Sequence, residues 1–311
     1  MSSDILVTGA AGFAGSHLLD LLADGNRDVI AWHRPGGHPP RDMPRTRWEA
    51  VDILDRAQVA EAIARLRPSA VYHCAGAAHV GRSWNSTEST FAVNVRGTHY
   101  LLDALERAAV AARVLVPSSA LVYASAAETL TEAHPLVPNS PYGVSKLAQE
   151  MLAQRTDGTI AVAIARPFNH VGPRQDPQFV ASAFARRIAD IELGRWPPEI
   201  SVGNLEARRD LTDVRDTVRA YQLILERGQP HRPYNVCSGR AVMIRDLLDM
   251  LLARAHVRID VKIDPNRYRP NDTPLVLGDP SRLRDELGWS PSIPLEQTLD
   301  DLLAYWRSSP A

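Results

Sequence analysis

The sequence of 311 residues lacks the features that mark several large classes of protein. Its two cysteines, Cys74 and Cys237, lie far apart without metal-type spacing, so we expect neither a metal site nor a disulfide framework, as in a reducing compartment. Lysine and arginine number 35 against 36 acidic residues, and this near-zero balance gives no sign of a nucleic-acid or membrane-surface partner. The N-terminal residues lack the pattern of a secretory signal, and no apolar run approaches the length of a membrane span. We therefore expect a globular, cytoplasmic protein that holds any anionic ligand with local charges.

The sequence does have a regular alternation of short apolar runs and longer amphipathic segments. The runs, rich in β-branched residues, are ILVTG, DVIAW, AVYHCAG, RVLVPSS and IAVAIARP. Strands that alternate with helices are typical of parallel sheets covered on both faces, so the pattern predicts an α/β fold with a doubly wound parallel sheet. After about Pro167, proline-rich loops and scattered helices predict a second, smaller lobe.

Three glycines follow the first predicted strand and open the first predicted helix. Gly9, Gly12 and Gly15 stand at three-residue intervals in TGAAGFAGSHLLDLL. Glycines at such a turn allow backbone amides and the positive end of the helix to approach a pyrophosphate. The spacing is G-x-x-G-x-x-G rather than the commoner G-x-G-x-x-G, and alone it is also compatible with a simple glycine-rich turn. Its position after an N-terminal strand favours a dinucleotide site.

The end of the second predicted strand bears on the choice of nicotinamide cofactor. An acidic residue at this position ordinarily hydrogen-bonds the adenosine ribose 2′-hydroxyl of NAD. The strand instead ends in VIAWHRPGG, where no carboxylate is present and Arg34 offers a positive charge for the 2′-phosphate of NADP. The alternative is that Arg34 is a solvated loop arginine. Asp52 and Ile53, in VDILD, lie where a loop would hold the adenine. We therefore expect NADP(H) to be favoured over NAD(H).

A serine after one predicted strand and a tyrosine–lysine pair on a later helix suggest the chemistry. Ser118 and Ser119 follow the strand RVLVP at its carboxyl end, the edge at which open α/β sheets bind ligands. In SPYGVSKLAQE, Tyr142 and Lys146 are spaced to share one face of a helix. Reduction of a ketone by hydride needs a proton donor at its oxygen, and a tyrosine serves if its pKa falls toward neutrality beside a positive charge. We expect Tyr142 to donate the proton, Lys146 to supply the charge and bind the nicotinamide ribose, and Ser119 to hold the substrate oxygen.

With these residues in place, the chain resembles the extended short-chain dehydrogenases/reductases of the nucleotide-sugar epimerase, dehydratase and reductase group. The resemblance covers nearly the whole length, and its landmarks are TGAAGFAG, VYHCAGAAHVGRSW, NVRGT, PSSALVY, YGVSK, RPFNHVGP, RRDLTDVRD, YNVCSG and RPND. It implies a Rossmann fold, a homodimer formed by helices near 88–107 and 142–155, and Ser119, Tyr142 and Lys146 as the catalytic residues. Asn94 is implied as a structural or proton-relay residue. The cofactor-binding residues that the resemblance implies are Gly9, Gly12, Phe13, Gly15, Arg34, Asp52, Ile53, Ala75, Tyr142 and Lys146.

The same resemblance implies a nucleotide-diphosphate sugar as substrate. Arginine suits such a ligand because its planar fork pairs with phosphate oxygens, although each arginine alone is also compatible with a surface salt bridge. His79 and His170 match the same motifs, and both are also compatible with packed, structural histidines. We expect a dinucleotide-binding domain over residues 1–168 and mainly a substrate-binding lobe over 169–311, with segments near 210–237 returning to the first domain. The expected substrate-binding residues are Val80, Ser83, Asn169, Arg209, Arg269 and Asp272.

Two stretches narrow the resemblance within the group. ARPFNHVGP resembles the GDP-mannose branch, which comprises 4,6-dehydratases and GDP-6-deoxy-4-keto-mannose reductases, and the later part of the chain looks most like the reductases. Dehydratases carry an acidic residue two positions before the tyrosine of S/T-x-E-x-Y, whereas this chain has Leu121, which cannot move a proton. The reductases often keep an acid there as well, so Leu121 argues against dehydration more than it identifies a reductase.

The resulting expectation is an NADPH-dependent oxidoreductase that reduces the 4-keto group of a nucleotide-activated 6-deoxyhexulose. A GDP-linked substrate is favoured, which would give a GDP-6-deoxyhexose such as GDP-D-rhamnose. The alternatives are a 4-epimerase that keeps its cofactor bound, a 4,6-dehydratase, and a cofactor-sensing binding protein without catalysis. The complete set of Ser119, Tyr142 and Lys146 argues against the last of these. The residues leave the nucleotide base and the configuration at C4 open.

Overall fold

A computed structural model describes residues 5–23, 25, 27–37, 42–156, 158–267 and 273–309. In chain order, the strands are β1 (Ile5–Thr8), β2 (Val29–His33), β3 (Thr46–Ala50), β4 (Ala70–His73), β5 (Ala112–Pro117), β6 (Ile160–Pro167), β7 (Asn169–Val171), β8 (Glu199–Val202), β9 (Arg208–Asp213), β10 (Pro233–Val236), β11 (Ala241–Met243), β12 (Asp260–Ile263) and β13 (Leu275–Val276). The α-helices are α1 (Phe13–Ala23), α2 (Arg56–Leu66), α3 (Val80–Asn85), α4 (Thr87–Phe91), α5 (Thr98–Arg107), α6 (Pro141–Ala153), α7 (Val180–Glu192), α8 (Val214–Arg227), α9 (Ile244–Leu252), α10 (Ser281–Leu287) and α11 (Leu295–Ser308). Within the described ranges, no helix is both long and apolar enough to span a membrane.

Seven of the described strands form one sheet in the order β10-β6-β5-β4-β1-β2-β3. Every neighbouring pair in this sheet is parallel, which confirms the predicted doubly wound α/β fold. The five apolar runs of the sequence correspond to β1, β2, β4, β5 and β6. Sequence patterns do not reveal β3 and β10. The first, TRWEA, is a polar edge strand whose residues are only partly buried, and the second is short and far along the chain from the strand with which it pairs.

Alternate residues of the central strands face opposite sides of the sheet. Ile5 and Val7 of β1 belong to the apolar core between the sheet and helices α1 and α8. Leu6 belongs to the core on the other side, beneath α2 and α5. A parallel strand that is buried on both faces has no solvent side for polar residues. The continuous apolar runs of the sequence are therefore a consequence of helices on both faces.

The second lobe is built around β9, which pairs with β7, β11 and β13. Helices α7, α9 and α11 enclose its separate apolar core. The segment after β9 lies with the first sheet instead, because α8 shares a core with α1 and β10 pairs with β6. The domain boundary between residues 168 and 169 stays a prediction.

The direction of the connections changes at β1 and β4. From β1 the chain leads outward to β2 and β3, and it then returns to form β4 on the other side of β1. At such a switch point, an open α/β sheet has a crevice at the carboxyl ends of its strands. The glycine loop follows β1 there, and Ala75 follows β4 closely.

Candidate active site

Two of the three glycines at the turn between β1 and α1 have no room for a side chain. Gly9 has a φ of +63°, in the left-handed region that favours glycine, and a Cβ added there would lie 2.5 Å from the backbone nitrogen of Ala75. A Cβ added at Gly15 would lie 2.3 Å from the carbonyl oxygen of Gly9. Gly12 is less crowded, and its N–H donates to the Gly9 carbonyl at 2.9 Å. The loop thus presents bare backbone at the start of an eleven-residue helix, which fits a dinucleotide pyrophosphate.

Phe13 connects this loop to the second lobe. Its ring stacks on the ring of His170, with centroids 5.6 Å apart and planes inclined by 6°. The ring of His17 contacts the same phenyl group edge to face. Burial lowers the pKa of both histidines, to about 4 for His17, so both rings are neutral at physiological pH. The contacts of His170 are those of a packed, structural histidine.

Arg34 follows β2 in an exposed turn. Its carbonyl oxygen accepts the N–H of Gly37 at 3.0 Å, and Gly36 has a φ of +77°. Residues 34–37 of this turn include no carboxylate. In the part of the chain that the structure describes, the Arg34 guanidinium has no acidic partner. It is therefore available to an anion at the end of β2.

Asp52 and Ile53 follow β3, the neighbour of β2 in the sheet. The Asp52 carboxylate accepts the N–H of Leu54 at 2.9 Å and so shapes the loop. The Ile53 side chain packs beside Gly97, where an added Cβ would lie 3.1 Å from it. Adjacent parallel strands end at the same edge, so these two residues and Arg34 lie along one border of the crevice.

Ser119 lies just past the carboxyl end of β5 and meets Tyr142. Its backbone is extended, and its Oγ accepts the N–H of Leu121 at 3.2 Å at the start of a short 3₁₀ turn. Helix α6 begins nearby because the Ser140 hydroxyl caps its first turn at 3.1 Å and Pro141 occupies the first helical position. Tyr142 is thereby held near Ser119, whose side chain favours the phenolate form of the tyrosine.

Lys146 lies one turn after Tyr142 on α6, and its amine forms a hydrogen bond with Gln149. The side chain is 7% exposed, and Nζ donates to Gln149 Oε1 at 2.5 Å. Burial lowers the pKa of Lys146 to about 8. Burial also raises the pKa of Tyr142, and the nearby Ser119 side chain offsets only part of this increase. The phenol pKa therefore shifts opposite to the direction expected from the sequence, because desolvation of the phenolate outweighs the interactions that stabilise it.

Asn94 connects helix α6 to the loop after β4. It is fully buried in a π-helical turn between α4 and α5. Its Oδ1 accepts the N–H of Ala77 at 2.7 Å, and its Nδ2 donates to Ser145 Oγ at 2.9 Å. The Ser145 hydroxyl in turn donates to the carbonyl oxygen of Tyr142 at 2.7 Å. These contacts are those of a structural residue that positions α6.

The structure contains a row of buried polar residues, hydrogen-bonded to Lys146, that the sequence analysis did not predict. Thr8, His73, Thr98 and Gln149 form a continuous hydrogen-bonded chain from the lysine to the glycine loop. Two signals were available: Gln149 follows Lys146 at helical spacing, and Thr8 and His73 are polar residues at the ends of apolar strands. No sequence pattern connects Thr98 with them.

Two of the predicted substrate-binding residues, Val80 and Ser83, lie on α3, next to His79. Val80 is the first helical residue, and His79 caps the helix by accepting the N–H of Arg82 at 3.1 Å while its ring contacts Phe179. Ser83 is fully buried and accepts the Tyr142 N–H at 3.2 Å. The structure therefore brings α3 against the start of α6.

The remaining predicted substrate residues belong to the second lobe. Asn169 is exposed at the start of β7. Arg209 lies on β9, and its Nη1 donates to the carbonyl oxygen of Thr273 at 2.7 Å. Arg269 and Asp272 lie outside the described residues. Arg209 thus contacts the first described residue that follows them in the sequence.

The two cysteines are free thiols, and burial raises the pKa of both, to about 12 for Cys74. Among the residues that the structure describes, no three His, Cys, Asp or Glu side chains are grouped in a way that could hold a metal ion.

Comparison with known proteins gives a consistent picture over the whole chain. Residues 6–302 match the family described as GDP-mannose 4,6 dehydratase. GDP-6-deoxy-D-mannose reductase from Pseudomonas aeruginosa is 36% identical over 314 residues, covering 99% of this chain and 98% of that protein.

Two solved structures are similar over nearly their full length. RMD from Pseudomonas aeruginosa complexed with NADPH has a TM-score of 0.85 and 33% identity, covering 98% of this chain and 99% of that one. MoeE5 in complex with UDP-glucuronic acid and NAD has a TM-score of 0.86 and 30% identity, with the same two coverages. Nicotinamide cofactors with and without the 2′-phosphate are therefore both bound by proteins of this fold.

Proposed function

The chain belongs to the GDP-mannose 4,6-dehydratase family of extended short-chain dehydrogenases/reductases, and on that premise we propose that it reduces the 4-keto group of GDP-4-keto-6-deoxy-D-mannose with NADPH. The product is a GDP-6-deoxyhexose such as GDP-D-rhamnose. The observation that carries this proposal is the placement of Ser119 after β5 and of Tyr142 on α6, one helical turn before the buried Lys146, at the same edge of the sheet as the glycine loop. The likeness to GDP-6-deoxy-D-mannose reductase supports the same substrate.

In the proposed reaction, a C–H bond forms at C4 of the sugar and an O–H bond forms at its keto oxygen. NADPH bound at the glycine loop supplies the hydride. Tyr142 donates the proton from its hydroxyl, and Ser119 hydrogen-bonds the same oxygen. The ammonium group of Lys146 stabilises the phenolate that Tyr142 leaves. Tyr142 regains its proton from solvent, so one ketone, one hydride and one proton give one alcohol.

The protonation states of the two key side chains suit this direction of reaction. The raised pKa of Tyr142 keeps its phenol protonated at neutral pH, which is the form that a proton donor needs. The pKa of Lys146, about 8, leaves most of its amine charged at neutral pH. Both groups therefore start in the states that the reduction requires.

The preference for NADPH over NADH depends on Arg34. Its guanidinium stands at the end of β2 in a turn without a carboxylate, where it suits the 2′-phosphate. RMD from Pseudomonas aeruginosa is complexed with NADPH, whereas MoeE5 is in complex with NAD, so relatives alone do not decide between the cofactors. The positive charge of Arg34 in this chain's own turn favours NADPH, the cofactor with the 2′-phosphate.

Leu121 favours reduction over dehydration. Elimination of water across C5 and C6 of the sugar needs a group that takes and delivers protons at those carbons. Leu121 lies against the catalytic helix, because a Cβ added at Gly143 would be 2.4 Å from its carbonyl oxygen. Its aliphatic side chain supplies no proton at that position. The 4-keto sugar is therefore expected to arrive ready made.

The remaining assignments are part of the same proposal. Gly9, Gly12, Phe13, Gly15, Asp52, Ile53 and Ala75 bind the cofactor, and Val80, Ser83, Asn169, Arg209, Arg269 and Asp272 bind the nucleotide sugar. The protein acts in the cytoplasm as a homodimer, formed by helices near 88–107 and 142–155. Residues 1–168 form the cofactor domain and 169–311 mainly the substrate lobe.

The test is product analysis by mass with two substrates. The protein should consume one NADPH for each GDP-4-keto-6-deoxy-D-mannose and give a product heavier by two hydrogens. With GDP-mannose and NADP⁺ it should give no product lighter by one water. The Tyr142→Phe variant is the matched control, because it keeps the ring and lacks the proton donor.

Two outcomes would overturn the proposal. Appreciable dehydration of GDP-mannose would mean that another residue supplies the acid and would support the dehydratase reading. Interconversion of 4-epimers without net consumption of NADPH would support an epimerase. Native mass spectrometry against a panel of nucleoside diphosphates would identify the base, with retention of GDP as the expected result.

A further inference from the structure

The amine of Lys146 is held by a side chain on its own helix. Nζ donates to Gln149 Oε1 at 2.5 Å, and Gln149 Nε2 donates to Thr98 Oγ1 at 2.7 Å. Gln149 and Thr98 are both fully buried. Residues three apart in a helix lie on the same face, so Gln149 reaches the amine directly. In the part of the chain that the structure describes, the only hydrogen bond from the amine is to this amide.

The hydrogen bonds of Thr98 fix the orientation of the Gln149 amide. Thr98 has one hydroxyl hydrogen, which it donates to the carbonyl oxygen of Asn94 at 2.7 Å. Its oxygen can therefore only accept from Gln149 and from His73 Nε2, which lies 2.9 Å away. Gln149 must turn its NH₂ group toward Thr98, and its carbonyl oxygen consequently faces Lys146.

The same constraint orders the histidine. Because His73 Nε2 carries the hydrogen, its Nδ1 accepts from the Thr8 hydroxyl at 2.8 Å. Thr8 Oγ1 accepts the N–H of Ala75 at 3.2 Å. Burial lowers the pKa of His73 to about 3, so the ring stays neutral and keeps this tautomer. The chain of donors thus runs without a break from the crevice beside the glycine loop to Thr98.

We propose that Gln149 is a positioning residue for the catalytic amine: its carbonyl, locked by Thr98 and His73, holds the charged form of Lys146 in place. The catalytic role of Lys146 rests on the function proposed above. The role of Gln149 toward the amine rests only on the hydrogen-bonded chain. A neutral carbonyl stabilises the ammonium without cancelling the charge that Tyr142 needs.

The other charged or titratable groups around Lys146 act less directly. Cys74, at the end of β4, and Glu150, on α6, both favour the ammonium form, but burial outweighs them. Glu150 is itself held by a buried ion pair with Arg166. His73 is neutral, and the Tyr142 phenol, whose pKa is raised by burial, lies one helical turn away. The Gln149 carbonyl is the group in direct contact.

Substitutions at Gln149 should therefore move the Lys146 titration in opposite directions. Gln149→Leu removes the acceptor, so the pKa of Lys146 should fall by about one to two units, the value of one hydrogen bond to a charged group. Gln149→Glu places a carboxylate against the amine, so the pKa should rise by at least a similar amount. Thr98→Val releases the amide and should give a smaller decrease.

The chain is well suited to a direct measurement because it contains two lysines, Lys146 and Lys262. Protein labelled with ¹³C-lysine should give two Cε resonances, which can be titrated by NMR without cofactor or substrate. Lys262, on β12, is 64% exposed and paired with Glu199, so it serves as an internal reference. Gln154→Leu, an exposed glutamine just after the same helix, is the matched control.

The expected result is a wild-type midpoint near 8 for Lys146, lowered in Gln149→Leu, raised in Gln149→Glu and unchanged in Gln154→Leu. Thermal unfolding of each variant checks that the fold is intact. Folded Gln149→Leu and Gln149→Glu proteins with the wild-type midpoint would overturn the proposal. The titration is independent of turnover, so failure of the proposed reductase activity would leave its result unaffected. In an active enzyme, the alkaline limb of kcat/KM should move with the measured midpoint.

Discussion

Replacing Gly12 and Gly15 separately by alanine should distinguish cofactor binding from stability of the fold. A Cβ at Gly15 would lie 2.3 Å from the Gly9 carbonyl oxygen and 2.9 Å from the Ala10 Cα, and both are backbone atoms that cannot swing away. Reaching an ordinary contact requires a movement of about 1 Å, and overpacking of this kind costs about 1–3 kcal/mol. A Cβ at Gly12 meets only the Gly9 oxygen, at 3.1 Å, which needs a shift of a few tenths of an ångström.

The two variants should therefore differ in thermal unfolding but agree in cofactor affinity. Without cofactor, Gly15→Ala should unfold about 2–10 °C below the wild type. Gly12→Ala should unfold close to the wild type, because the restricted unfolded chain offsets its milder contact by about 0.4–1 kcal/mol. Both should bind NADPH about tenfold more weakly or worse, because a methyl group at Gly12 keeps the pyrophosphate from the backbone and one at Gly15 displaces the Gly9 carbonyl and the loop with it. The affinity for NADPH can be measured from the fluorescence of the cofactor.

Gly25→Ala is the control at the other end of α1. Its added Cβ would lie 3.2 Å from a backbone oxygen, much as at Gly12, but far from the switch point of the sheet. It should leave NADPH affinity unchanged. Wild-type NADPH affinity in Gly12→Ala would show that the pyrophosphate does not approach this loop. A wild-type unfolding temperature in Gly15→Ala would refute the packing argument.

Three further predictions concern the chemistry. Tyr142→Phe keeps the ring and loses the hydroxyl, so kcat should fall by about 10²–10⁴ with NADPH affinity little changed; near-normal turnover would remove Tyr142 from the mechanism. Arg34→Ala should weaken NADPH by about tenfold or more and NADH much less, because only NADPH carries the 2′-phosphate, and equal losses for both cofactors would indicate a structural role. The ammonium form of Lys146 is lost as pH rises through its pKa of about 8, so kcat/KM should decline above that pH. A profile that stays flat to about pH 10, the usual lysine range, would contradict the requirement for the charged amine.

The strands and helices that the sequence alone determined are those in which buried positions form a regular local pattern of apolar residues. β1 and β6 are covered on both faces, so nearly every residue is apolar and the run is visible without any partner. β3 has no such run, because it is an edge strand with partly exposed residues. Its strand character comes from pairing with β2, a contact that no local pattern contains.

The same division applies to the site. The glycine loop and the spacing of Tyr142 and Lys146 depend on residues close together in the chain, so the sequence by itself determined them. Only the tertiary structure decided that Gln149 reaches Thr98, 51 residues away, and that the amide turns its carbonyl to the lysine. It also decided the direction of the Tyr142 pKa shift, because desolvation depends on everything packed around the phenol and not on its neighbours in sequence.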